Sequence, residues 1–289
     1  MEPIEEKTWT HPCFHCEAHK YARIHLPVAP RCNVSCNYCV RKFDCVNESR
    51  PGVTTKVISP IEALERYQIA KEKIPNLSVV GIAGPGDILA NFEAVAHTLT
   101  LIREYDPEVT FCVSTNGLQL PKYVDRLKEL GVTHVTVTVN SLNPEIAGKI
   151  YRYVEDDGIR YTGSAAGELL AARQLEGIRR LITLGMVCKV NIIMIKGVND
   201  EDIEQTVKKV AELGVEITNI TRMIPVRGSA FEHLEAPTME EVNAKRDLCN
   251  QYVRQMRHCG QCRADAIGTI GHDRSAELIH ANVRIATGE

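Results

Sequence analysis

The sequence predicts an open (β/α)6 barrel, a partial TIM barrel that makes three quarters of the turn which eight strand–helix units would close. Three observations carry that expectation. Apolar, β-branched runs recur near 23–29, 77–83, 109–115, 132–140, 187–195 and 215–223. Segments of helical period fill the gaps, near 59–73, 91–105, 121–130, 166–184 and 200–213, and a last helix spans about 238–258. Several runs also alternate polar with apolar residues, so one face of the sheet is polar. Six such units imply parallel pairing through right-handed crossovers, two units short of closure.

Taken in order, the first strand puts Arg23 and His25 on the inward parity. The helix after it opens with Ser59 as a cap and Pro60 at its first position, where the missing amide costs nothing. The third strand turns Cys112, Ser114 and Asn116 inward. In the fourth, Val135, Val137 and Val139 face the helices, while His134, Thr136, Thr138 and Asn140 face the lumen. The fifth places Lys189 and Asn191 inward and Cys188 outward with Val190, Ile192 and Met194. Acidic residues in Asn199-Asp200-Glu201-Asp202 suit the first turn of the following helix. A polar inner face on several strands predicts a wet, functional lumen.

Composition narrows the class. The chain has 289 residues, 44% hydrophobic and 25% charged, as for a globular protein with one sizeable core. Its net charge of −3 offers no basic field for nucleic acid. The first twenty residues hold no apolar signal core, and no stretch is long and apolar enough for a membrane span, so a cytoplasmic protein is expected. Eleven cysteines, an odd number without a secretory signal, favour metal-holding thiolates over a disulfide framework.

Cys32-Asn33-Val34-Ser35-Cys36-Asn37-Tyr38-Cys39 follows the first strand directly. Three thiolates on one tight loop suit three irons of a [4Fe–4S] cube and leave the fourth open for a chelating cosubstrate. A structural zinc site would want four ligands. This CxxxCxxC, with an aromatic before its last cysteine, resembles the radical S-adenosylmethionine (SAM) superfamily. The resemblance implies that SAM binds the open iron and is cleaved reductively to methionine and a 5′-deoxyadenosyl radical. It also implies roles for the residues that follow. Gly84, Gly86 and Asp87 of Ile82-Ala83-Gly84-Pro85-Gly86-Asp87 would approach the SAM amino group, with Asp87 accepting from the ammonium. Ser114, Thr115 and Asn116 would serve the carboxylate and ribose, Asn140 and Asn191 would line the nucleoside, and Tyr38 would shield the adenine.

Further thiols narrow the resemblance. His11-Pro12-Cys13, the run from Asp44 and Cys45 to Val53, Cys112-Val113-Ser114-Thr115-Asn116-Gly117, and Cys259-Gly260-Gln261-Cys262-Arg263-Ala264-Asp265-Ala266 together are similar to the NifB family of nitrogenase-cofactor maturases. That similarity implies two further [4Fe–4S] clusters, K1 on Cys13, His25 and Cys112, and K2 on Cys45, Cys259 and Cys262. It implies their fusion, around a carbide from a SAM methyl group and one added sulfur, into an [8Fe–9S–C] core. Glu48, Asn47 and Arg50 would then handle protons and position the cluster, with Arg263 and Asp265 orienting K2 from behind. The partners implied are an iron–sulfur cluster donor, an electron donor, and a carrier or scaffold protein that receives the product.

Under this reading residues 1–289 form one domain: a cluster-ligating extension (1–22), the partial barrel (23–235), and a helix with a CxxC tail (236–289). Both extensions are expected over the barrel mouth. The chain ends 289 − 271 = 18 residues after Gly271, which reads as a short, stand-alone form. His25 alone could equally be a satisfied lumen histidine, and Cys259/Cys262 a zinc half-site or redox pair. Cys188 and Cys249 read as core, and Cys16 as an alternative ligand beside Cys13. Two other functions use the same thiols: a radical SAM enzyme with auxiliary clusters acting on a peptide or small molecule, and a non-catalytic iron–sulfur carrier.

Overall fold

The computed structural model describes residues 4–15, 20–40 and 50–280. Six parallel strands form its centre: β1 (Ala22–His25), β2 (Leu77–Ile82), β3 (Thr110–Thr115), β4 (Val132–Thr138), β5 (Val187–Met194) and β6 (Ile217–Arg222). They lie side by side in chain order and all pair in parallel. A helix follows each: α1 (Pro60–Lys73), α2 (Phe92–Tyr105), α3 (Leu120–Glu129), α4 (Gly163–Thr183), α5 (Ile203–Glu212) and α6 (Met239–Cys249). The sheet stays open, as expected. Ser59 caps α1 through a reciprocal box with Glu62, and Pro60 takes the first turn.

Inner and outer faces follow the sequence parity. Val135, Val137, Val139, Cys188, Val190 and Ile192 are buried against the helices in the main core, where Cys249 also sits. Register then sets the lumen. His25 stands opposite Gly81, and Gly81 opposite Cys112, so these three positions form one row across β1, β2 and β3. Ser114, Thr136 and Lys189 form the next such row, across β3, β4 and β5.

The tail extends both edges of the open sheet. Arg254–Gln255 add a parallel strand to the free edge of β6, and Ile267–Thr269 add an antiparallel one to the free edge of β1. The segment between them, with Cys259 and Cys262, therefore crosses the open side of the barrel. This is also why α6 stops at Cys249 and not near 258: the chain after it is recruited to the sheet edge.

The N-terminal extension enters from the opposite end to the one expected. Its helix, Ile4–Trp9, and the turn after it pack under the barrel. Lys7 donates to the Glu108 carbonyl ahead of β3, Ser78 at the start of β2 donates to the Thr10 carbonyl, and Thr8 hydrogen-bonds His134 near the start of β4. The rings of His11, Phe14 and His134 meet edge to face or tilted at 4.6–4.8 Å. An aromatic plug fills the lower lumen because the inward face of the strands there would otherwise be left open to water.

One unit went unforeseen. Helix Pro144–Ile150 leads into a hairpin, Tyr151–Asp156 with Ile159–Tyr161, to which Val34–Cys36 of the cysteine loop adds a third strand. Asp157 and Gly158 turn the hairpin with φ of 49° and 79°. Asp-Gly between alternating residues is the sequence signal for this turn.

No helix among the described residues is long and apolar enough to cross a membrane.

Candidate active site

The polar lumen opens into a cavity of about 290 Å³. Cys13, His25, Cys32, Cys36, Cys39, Cys112, Cys259 and Cys262 all line it. These are eight of the nine donors singled out in the sequence, drawn from the N-terminal plug, β1, the loop after it, β3 and the C-terminal tail. The ninth, Cys45, lies outside the described residues with Cys16, Asn47 and Glu48. Among the described residues no three His, Cys, Asp or Glu side chains converge on a single metal ion. A cube distributes its ligands over different irons, so thiolates spaced around a cavity suit a cluster better than a closed zinc site.

The cysteine loop is held from three sides. Glu155 donates its amide to the Asn33 carbonyl, Asn37 donates to the carbonyls of Ile150 and Lys149, and Phe231 donates back to the Asn37 carbonyl. Gly86 and Asp87 donate their amides to the Ala29 and Arg31 carbonyls. A Cβ on Gly86 would fall 2.1 Å from the Arg31 oxygen, so only glycine lets these backbones meet. Gly84 takes a φ of +131°, open to glycine, and a Cβ there would lie 3.5 Å from the Ala264 methyl.

Asp87 and Asn116 form the next layer. The buried Asp87 carboxylate accepts from the Thr115 hydroxyl at 2.9 Å, the Asn116 amide at 2.6 Å and the Leu89 amide at 2.9 Å. Burial pushes its pKa up and these donors oppose the shift. Asn116 in turn points its side-chain amide at Asn33 Oδ1 (2.8 Å) and at the Cys32 sulfur (3.7 Å). Ser114 and Thr115 line the cavity beside it. Tyr38 lines it too, its hydroxyl accepting from Asn140 Nδ2 at 3.0 Å. Burial pushes the Tyr38 phenol well above its ordinary range. Asn191 accepts from Asn219 at 3.1 Å across β5 and β6. Asn140 is fully buried and meets the cavity wall through Tyr38 and the Ile193 amide. Arg50 is buried and donates to the Val40 carbonyl.

Lower in the lumen stands His25. Its Nδ1 lies 2.9 Å from the Arg263 carbonyl, which can only accept, so the proton sits on Nδ1 and Nε2 keeps its lone pair. Burial and the neighbouring Arg23 cation bring its pKa down to about 4, which leaves the ring neutral near pH 7. Cys112 is pushed up to about 12 by burial against the pull of Lys189, and Cys13 is raised for the same reason. A metal bound there would displace protons. Arg23 donates to the Cys262 sulfur at 3.1 Å, a contact that the inward parity of Arg23 allows but does not announce. Arg263 pairs with the fully buried Asp265 at 2.9 Å, and Asp265 also accepts from the amide of Thr55, tying the segment after the Cys45 region to the tail. Gly81 and Lys189 escaped notice as functional positions. A lone glycine inside an apolar strand run was the available signal for the first.

Comparison with known proteins agrees with this geometry. Residues 26–210 match the family model of the radical SAM superfamily. The chain is 49% identical over 280 residues to the FeMo cofactor biosynthesis protein NifB of Klebsiella pneumoniae, covering 95% of this chain and 60% of the relative. Against the protein of the same name from Chlorobaculum tepidum it is 46% identical over 270 residues, covering 93% and 64%. The chain thus spans roughly three fifths of the length of these curated relatives. Among solved structures, anSMEcpe with bound AdoMet and a peptide superposes with a TM-score of 0.57 at 13% identity, covering 90% of this chain and 80% of that one. Streptococcus suis SuiB bound to S-adenosylmethionine gives 0.56 at 14%, covering 84% and 52%. Those likenesses are of fold. With the family model matching 26–210, well over half its length, the chain belongs to the radical SAM superfamily, and it resembles the NifB proteins along nearly all of its sequence.

Proposed function

We propose that this chain is a radical SAM maturase of nitrogenase cofactor biosynthesis. It takes two [4Fe–4S] clusters as substrates, K1 and K2, and fuses them with a SAM-derived carbide and one added sulfur into an [8Fe–9S–C] product. The observation that carries this reading is the convergence of eight Cys and His donors from five chain regions on one cavity. An ordinary radical SAM site needs only Cys32, Cys36 and Cys39, and a carrier needs no Asn116–Asp87–Tyr38 layer.

Cys32, Cys36 and Cys39 would hold the resident [4Fe–4S] cluster, which when bound supplies the electron that cleaves SAM. The chain's own residues do the rest. Asp87 fixes Thr115 and Asn116, and Asn116 steadies both Asn33 and Cys32. Asn140 aims Tyr38 across the adenine side, with Asn191 and Asn219 beside it. The glycines at 84 and 86 let backbone close on the methionine end of SAM. Below, Cys13, His25 and Cys112 hold K1; Cys259, Cys262 and Cys45 hold K2. Arg23 keeps Cys262 in place, and the Arg263–Asp265 pair fixes the tail from behind. Glu48 would take up protons released from the transferred carbon, with Asn47 and Arg50 handling their passage and positioning the cluster through hydrogen bonds. Phe14 and His134 below, with the tail at the side, exclude water from the radical. An iron–sulfur cluster donor, an electron donor and a protein acceptor of the product complete the cycle.

The test is turnover under anaerobic conditions with SAM and dithionite after reconstitution. The reading expects S-adenosylhomocysteine from methyl transfer and 5′-deoxyadenosine from reductive cleavage. 5′-Deoxyadenosine alone would leave a radical SAM enzyme of another kind, and neither product would leave a carrier.

A further inference from the structure

The lower cavity holds a cation that no carboxylate among the described residues pairs with. Lys189, on β5, is 5% exposed and lines the cavity beside Cys13, His25 and Cys112. Its ammonium lies 5.0 Å from the ring of Phe14, and among the described residues it makes no hydrogen bond or salt bridge. Arg23, which also lines the cavity, gives its two terminal nitrogens to the Gly268 and Thr269 carbonyls and the Cys262 sulfur. Among the described residues the one carboxylate lining the cavity, Asp87, is engaged by Thr115, Asn116 and Leu89.

An ammonium that faces a cavity with no acid beside it among the described residues still has N–H groups to give to an acceptor that enters. Its neighbours indicate which acceptor. Two thiols and an imidazole with a bare Nε2 are soft donors, matched to a metal–sulfur group and not to a phosphate or carboxylate. Held by two thiolates and a neutral imidazole, a reduced [4Fe–4S] cluster carries a net negative charge, and its sulfides accept N–H···S hydrogen bonds.

We propose that Lys189 is the positioning residue for the iron–sulfur substrate cluster at Cys13, His25 and Cys112, neutralising its charge and donating a hydrogen bond to one of its sulfides. The inference rests on the function proposed above, because it takes that cluster as the lower ligand. It makes two effects of one substitution run in opposite directions. Lys189→Met removes a buried charge that the iron-free protein does not use, so the iron-free protein melts at the same or a higher temperature. The same change removes the clamp, so the reconstituted, desalted protein holds about four fewer irons per chain. Lys189→Arg keeps the charge and retains the iron.

Iron is counted in anaerobically reconstituted wild type, Lys189→Met, Lys189→Arg and Cys112→Ala, with melting of each iron-free protein. Loss of about four irons in both Lys189→Met and Cys112→Ala, without loss of iron-free stability in Lys189→Met, is the expected result. Wild-type iron in Lys189→Met alone would overturn the role of Lys189 and leave the lower cluster standing. Wild-type iron in Cys112→Ala as well would remove the lower cluster and the inference with it. A lower melting temperature for iron-free Lys189→Met would make the lysine structural and overturn the proposal.

Discussion

Gly81 and His25 stand opposite each other in the β1–β2 register, and a methyl group on Gly81 would fall 2.7 Å from Cδ2 of the imidazole. The missing side chain is what lets the ring lie in the lumen between β1 and Cys112. Gly81→Ala should therefore push His25 aside at a cost of about 1–3 kcal/mol from overpacking. Iron per chain should fall by about four, as in His25→Ala. Wild-type iron content in Gly81→Ala would contradict the placement of His25 as a ligand.

The Arg263–Asp265 pair should dominate the stability of the tail. Burial opposes the Asp265 charge, yet Arg263 and the Thr55 amide outweigh it and hold the carboxyl below its usual value. Breaking a buried pair leaves one charge uncompensated, so Asp265→Asn should cost about 3–5 kcal/mol in urea unfolding. Because the folded pKa is lowered, this contribution is present at neutral pH and is lost as pH falls below the ordinary aspartate range. A loss under about 1 kcal/mol would mean that the pair is not what joins residues 53–55 to the tail.

Acid should loosen the plug beneath the barrel. Burial, then the Lys189 and Lys7 cations, lowers His134 to about 3, and burial keeps His11 beside it neutral as well. Unfolded histidine titrates near 6.5, so between about 3 and 6.5 the unfolded chain binds a proton that the folded one refuses. Stability must then fall as pH drops through that window, by up to about 1.4 kcal/mol per pH unit for each histidine. Urea midpoints of the iron-free protein at pH 7.5, 6.5 and 5.5 measure the slope. His134→Gln should flatten it, and an unchanged slope would place the titration elsewhere.

Asp87 acts through Asn116. Asp87→Asn puts an amide where the carboxylate accepts from two backbone amides, so one donor must face another, at about 1–3 kcal/mol. SAM affinity of the reconstituted protein, by equilibrium dialysis, should weaken about tenfold as Asn116 shifts. Unchanged affinity would show that the layer does not organise the SAM side.

Much of this was legible in the residues themselves. Period-two patterning gave six strands and the correct inward set, because helices outside and water inside impose opposite demands on alternate positions. The cysteine spacing located the loop that the structure sets on the cavity. The plug could not be read, since nothing in Trp9, His11 or Phe14 says which end of the barrel they fill. Nor could Lys189 be read as more than an inward lysine: its meaning lies in having no acid nearby among the described residues, which only the packed lumen reveals. The hairpin at 151–161 was within reach through its Asp-Gly turn.

The most direct measurement follows the carbon. Reconstituted protein is incubated anaerobically with methyl-labelled SAM and dithionite, and the metal–sulfur fraction is separated from small molecules. The account predicts label retained with iron and sulfide, alongside S-adenosylhomocysteine and 5′-deoxyadenosine. Label recovered only in SAM, methionine or other small molecules would contradict it.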